Sequence, residues 1–137
     1  MQSTITPQTA LIYVMVTMAA VDARMSDNEL RKIGTVTSAL PAFRDFSQEK
    51  LIPIAQECAA ILEEDDGLAT VLGLAKEALS EPMRETAYAL AAEVAVADLK
   101  IGQEEMRLLE IIRHTLDVDR LTAAAIERGT RARHQTP

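Results

Sequence analysis

Aromatic residues are scarce in this chain of 137 residues: tryptophan is absent, and Tyr13, Phe43, Phe46 and Tyr88 are the whole complement. The apolar share of 48% therefore rests on Ala, Leu, Ile, Val and Met, a palette that suits close-packed helices. Cysteine occurs once, so an intramolecular disulfide is excluded. Cys58 falls on an apolar helical stripe with no cationic sequence neighbour to favour a thiolate, and it reads as a buried, inert thiol. The glycines Gly34, Gly67, Gly73, Gly102 and Gly129 are dispersed singly, which excludes a phosphate-cradling loop and a nucleophile elbow. Histidine is limited to His114 and His134, too few and too far apart for a histidine-based metal set or general base. Cations are outnumbered, 14 to 21, and a net charge of −7 opposes a nucleic-acid backbone. The longest apolar run, Ala10 to Val21, is shorter than the roughly 20 residues a membrane span needs and lacks a basic leader, so a cytoplasmic protein without direct membrane insertion is expected.

What is present is helical spacing. A chain of this length fits one domain, residues 1–137, that buries roughly two-thirds of its unfolded surface. Met1 to Pro7 reads as an extended lead-in. Leu11, Val14, Met15, Met18 and Val21 then mark one face of a first helix ending near Val21. Ser26 and Glu29 form a capping-box pair ahead of a second stripe, Leu30, Ile33, Val36 and Leu40, which Pro41 ends. Ser47 caps a third helix through about Glu63, with irregularity expected around Pro53. The acidic run Glu63 to Asp66 with Gly67 is a turn, and Leu68, Val71, Leu72, Ala75 and Leu79 continue as a fourth helix. Ser80 and Pro82 open a long fifth helix carrying Met83, Ala87, Leu90, Val94 and Ala97 and ending near Asp98. Gly102 opens a sixth, with Met106, Leu109, Ile112 and Leu116 inward. Asp117 or Asp119 caps a seventh around Leu121 to Arg128, with Gly129 as its exit. The remainder, residues 130–137, follows Arg128 with Arg131, Arg133 and His134 but no apolar stripe, and is expected to be a flexible tail.

The chain repeats itself. A shift of 76 residues places Asp22 on Asp98, Glu29 on Glu105, Ala19 on Ala95, Leu30 on Met106, Ile33 on Leu109, Val36 on Ile112 and Leu40 on Leu116. Each copy reads as helix, acidic residue at its C-terminal end, short link with one inward apolar residue, and a second helix whose first turn carries a glutamate. Two such hairpins can pack about a pseudo-twofold axis. An aspartate at a helix C-terminus faces the negative end of the macrodipole, so another interaction must favour it. One candidate is a hard divalent cation held by the carboxylates of both halves. The other is local: aspartates accepting from link amides, with Glu29 and Glu105 acting only as caps. An EF-hand is excluded, because Asp22 is followed by Ala23, Arg24, Met25 and Ser26 where alternating ligands would stand. The exposed run Glu63 to Asp66 fits a coordination shell loosely, and Met15, Met18 and Met25 read as core filler.

The segments Ala19-Ala20-Val21-Asp22-Ala23-Arg24-Met25-Ser26-Asp27-Asn28-Glu29 and Ala95-Val96-Ala97-Asp98-Leu99-Lys100-Ile101-Gly102-Gln103-Glu104-Glu105 together resemble the TerB family of tellurite-resistance proteins, from about Leu11 to Leu116. The resemblance implies an all-α compact bundle of about seven helices with two pseudo-twofold-related hairpins. It also implies a divalent-cation site that maps by position onto Asp22, Glu29, Asp98 and Glu105. The family's usual glycine after the aspartate is replaced by Ala23 and Leu99, and Arg24 and Lys100 stand where they could pair with the carboxylates. On this reading the chain is a non-enzymatic cytoplasmic protein that binds a divalent metal cation. It would act in tellurite resistance or a metal-stress response with other tellurite-resistance or membrane-associated proteins as partners. The competing reading is a protein-interaction module whose acidic residues are purely structural caps. Hydrolysis at a carboxylate-bound metal lacks any nameable general acid, base or oxyanion donor.

Overall fold

A computed structural model describes residues 5–22, 26–96 and 102–137. Its described residues form seven α-helices and no strand: α1 Pro7–Ala19, α2 Asp27–Ala39, α3 Leu51–Leu62, α4 Gly67–Ala78, α5 Glu81–Val96, α6 Gln103–Thr115 and α7 Arg120–Arg133. The all-α bundle expected from the sequence is thus the observed fold. None of the described helices is long and apolar enough to cross a membrane.

Local chemistry starts each helix. Pro7 occupies the first turn of α1, where its missing N–H costs nothing, and the Thr6 hydroxyl accepts from the Thr9 amide at 3.1 Å. Ser26 caps α2 through the Glu29 amide at 3.2 Å, while Glu29 Oε1 accepts from the Ser26 amide at 3.0 Å, which is the capping box the sequence announced. Pro41 ends α2 by holding Leu40 extended, at φ −85° and ψ 144°. The connector is tied down when Gln8 Nε2 donates to the carbonyls of Ala42 and Arg44 at 3.2 and 3.1 Å. Irregularity before Pro53 takes the form of a 3-10 turn, Gln48–Lys50, so that Pro53 falls in the first turn of α3, where amides lack intrahelical partners anyway. Asp119, not Asp117, caps α7, accepting from the amides of Leu121 and Thr122 at 3.0 and 3.3 Å. Asp117 instead adopts a left-handed backbone (φ 56°) and pairs with Lys76 at 2.8 Å.

The single stripe expected on α1 understates its burial. Every residue from Ala10 to Ala19 is buried, because α1 packs against α3, α4 and α5 on its long sides and also touches α2 and α6. A helix that is apolar all round belongs at the centre of a bundle. Its one buried polar side chain, Thr17, donates to the Tyr13 carbonyl at 2.8 Å. Burying a residue such as Leu11, Ile12 or Met15 here contributes about 1.5–3 kcal/mol each.

The 76-residue register holds in three dimensions. Ala19 and Ala95 are both buried, as are Ile33 and Leu109, Ile12 and Tyr88, Val14 and Leu90, and Val16 and Ala92. Burial is not identical throughout: Val36 and Leu40 are partly buried where Ile112 and Leu116 are buried, and Leu30 is partly buried, whereas Met106, expected inward, is 57% exposed.

The expected exit at Gly129 and loose tail from residue 130 are corrected: α7 runs through Gly129 to Arg133. Thr130 is buried, its hydroxyl donating to the Ile126 carbonyl at 2.9 Å, and Arg133 and His134 both bond to Glu93 of α5. A glycine costs a helix about 1 kcal/mol, which packing along α5 readily outweighs.

Candidate metal centre

The acidic positions follow from how the hairpins meet. After α1 the chain makes a 3-10 turn, Ala20–Asp22, and that turn packs against α6 of the other half. Reciprocally, α2 packs against α5. Glu29 and Glu105 stand at the third position of α2 and α6, and both are partly buried. Placed in a first helical turn, each carboxylate faces the positive end of the macrodipole.

Glu29 is engaged through Oε1 with the Ser26 amide, and among the described residues no donor reaches its Oε2. Glu105 also folds back on its cap: Oε2 lies 2.5 Å from where a Cβ on Gly102 would stand, so the space a side chain would fill is occupied by this carboxylate. Gly102 is therefore the partner of Glu105 by size, where Ser26 is the partner of Glu29 by hydrogen bonding. Asp22 ends the 3-10 turn, but its side chain, all of Asp98, and the links 23–25 and 97–101 lie outside the described residues.

Among the described residues no group of three or more His, Cys, Asp or Glu side chains gathers as a metal set. That covers the run Glu63 to Asp66, which is fully described and exposed. Asp66 takes a left-handed backbone (φ 57°) ahead of Gly67, whose glycine is required by close approach: a Cβ there would sit 2.2 Å from the Ile61 carbonyl oxygen. Met15 and Met18 are fully buried core, while Met25 lies outside the described residues. Cys58 is buried, and burial pushes its thiol up to about 11 despite the Thr17 hydroxyl beside it. His114 is exposed beside Arg113, and His134 is bound by Glu93.

Sequence reasoning missed one feature, a cleft between α5, α6 and α7 with Arg113, Arg120 and Arg131 around it. Its signal was available as Arg120, Glu127 and Arg131, spaced seven and four apart on one helical face, but that face exists only if α7 continues past Gly129.

An all-α bundle that contains two hairpins in a 76-residue register, each with an aspartate before its link and a glutamate opening its second helix, defines a class of duplicated helical domain. The family model for the tellurite resistance protein TerB matches residues 8–128. The chain belongs to the TerB family. No curated protein and no solved structure matches it.

Proposed function

We propose that this TerB-family protein binds a divalent cation through Asp22, Glu29, Asp98 and Glu105, and that it acts as a non-enzymatic binding protein in tellurite resistance or a related metal-stress response. The observation that carries the reading is the packing of the Asp22-bearing turn of one half against the Glu105-bearing helix of the other. The donor set suits the group: carboxylate oxygens are the ligands of hard divalent ions, and Glu29 keeps Oε2 free of protein donors among the described residues. An ion held there would neutralise the carboxylates and fasten the two hairpins together. A cytoplasmic setting and partners among other tellurite-resistance or membrane-associated proteins complete the proposal.

Calorimetric titration of the full chain with calcium, magnesium, manganese and zinc tests it, alongside the double variant Asp22→Asn/Asp98→Asn. Binding by the native chain and its loss in the double variant are expected. Unchanged heat in that variant would overturn the four-carboxylate site. In that outcome the acidic residues act as helix caps, and the interaction-module reading becomes the stronger one.

A further inference from the structure

We infer that the cleft between α5, α6 and α7 binds a small organic anion, a carboxylate or phosphate carried on an apolar body, with Arg113, Arg120 and Arg131 holding the charge and Met106 and Leu109 the body. The cleft encloses about 290 Å³, at the small end of the roughly 300–1,000 Å³ usual for ligand pockets. Three helices each give it one face. On α6, Met106, Leu109, Glu110 and Arg113 recur at helical spacing; on α7 Arg120, Glu127 and Arg131 do; α5 supplies Tyr88 and Ala92.

Two observations point to a ligand rather than to fold maintenance. The first is charge. Among the described residues none of the three guanidiniums forms a salt bridge, although the two carboxylates Glu110 and Glu127 line the same cleft. Glu127 is engaged by the buried Tyr88, whose hydroxyl donates to its Oε2 at 2.8 Å. Arg113 is steadied by donation from Nη1 to the Val118 carbonyl at 3.3 Å and by the neighbouring His114 ring. An excess of unpaired guanidiniums in a chain of net charge −7 is a local reversal of sign. Guanidinium forks match carboxylate and phosphate geometry.

The second observation is the broken repeat. The register equates Met106, Glu110 and Arg113 with Leu30, Gly34 and Thr37. In the first half those three residues are themselves neutral, although Asp27 and Arg31 border the shallow surface cavity beside Leu30 and Gly34, and Thr37 is buried and exchanges hydrogen bonds with Gln48. The second half has charge at both of the latter positions, Glu110 and Arg113, and leaves Met106 57% exposed beside them. Since the first half folds the same hairpin without charges there, Glu110 and Arg113 are not demanded by the hairpin. Exposed apolar surface next to unpaired cations complements an amphiphilic anion.

Calorimetric titration of the full chain with octyl phosphate, octanoate, octanol and inorganic phosphate tests the inference. Octyl phosphate and octanoate are expected to bind one to one, with octanol and inorganic phosphate about tenfold weaker or more because each offers only half of the ligand. Arg120→Met/Arg131→Met, two exposed positions where folding is not at stake, should weaken octyl phosphate by about tenfold or more. Met106→Glu, also exposed, should weaken it by repulsion. Co-sedimentation with phosphatidylcholine vesicles with and without phosphatidic acid separates the sources. Recruitment dependent on phosphatidic acid assigns a lipid headgroup, and its absence with intact octyl phosphate binding assigns a free ligand. Three results overturn the inference: no heat from either amphiphile, equal binding by octanol, or binding unchanged in both variants.

Discussion

Substituting alanine for glycine at three helical positions separates what the backbone needs from what it merely contains. Gly129 lies inside α7, no glycine among the described residues has positive φ, and a Cβ at Gly129 would meet nothing within 4 Å. Alanine there removes backbone entropy from the unfolded chain and clashes with nothing. Gly129→Ala is therefore expected to stabilise by about 0.8–1 kcal/mol. For a domain of this size that corresponds to a rise in Tm of roughly 3–5 °C. Gly73, within α4 and with equally open space, should respond alike. Gly67 should respond in the opposite sense, because its added Cβ would approach the Ile61 carbonyl oxygen to 2.2 Å and Leu62 Cα to 2.8 Å. Those are backbone atoms of the preceding turn, which cannot swing aside like a flexible side chain. The overpacking penalty of about 1–3 kcal/mol or more exceeds the helix gain. Urea and thermal unfolding followed by far-ultraviolet circular dichroism measure all three. A destabilising Gly129→Ala would refute the continuation of α7 to Arg133, since a left-handed helix exit at Gly129 is the arrangement that alanine would disrupt.

Three other outcomes are expected. Burial pushes the Glu93 carboxyl up, but the hydrogen bonds from His134 and Arg133 outweigh it and hold the group below the usual carboxylate range. The stability Glu93 contributes is then present above its unfolded value and lost as pH falls through the lower folded value, so Glu93→Gln should flatten the acid limb of a stability-versus-pH curve. Cys58, buried and with its thiol raised to about 11, should react with a disulfide reagent at pH 8 only at the rate of opening, and urea should accelerate the reaction steeply. Ser26→Ala should cost about 0.5–2 kcal/mol by removing the cap of α2, measurable in the same unfolding experiments.

Local features of the chain were legible because they depend on neighbours in sequence. The capping box of Ser26 and Glu29, the stop at Pro41 and the first-turn Pro82 are each fixed within four residues, and each stands as read. The internal register was legible too, since burial at Ile33 and Leu109 or Ala19 and Ala95 requires the same residue type in both copies. Features set by tertiary neighbours were not. Choosing one stripe on α1 passed over Ile12 and Val16, whose burial depends on helices packing on all sides. Reading Gly129 as an exit weighed propensity alone, while Thr130 and the Glu93 anchor lie beyond it. The arginine cleft was hidden for the same reason, because Arg120 and Arg131 share a face only on an uninterrupted α7. Of the four acidic residues, the sequence disclosed the types and register, and Glu29 already has a structural duty.

That duty determines how the cation proposal must be tested. Glu29 joins Ser26 in closing two otherwise unpartnered amides of α2, so removing its carboxylate weakens the helix whether or not an ion is held. A loss of cation binding in a Glu29 variant would then be uninformative, since the variant loses the helix cap together with the ligand. The aspartates offer a cleaner test: in the sequence each precedes a link, and Asp22 closes the 3-10 turn after α1, towards the negative end of that helix's macrodipole. In the metal-free protein, neutralising Asp22 and Asp98 should leave stability equal or slightly raised if a cation is what compensates that placement. In saturating metal, the native chain should gain stability that the double variant does not, by linkage between binding and folding. If instead the double variant is less stable without any metal, link amides are what the aspartates serve, and the pair is part of the scaffold.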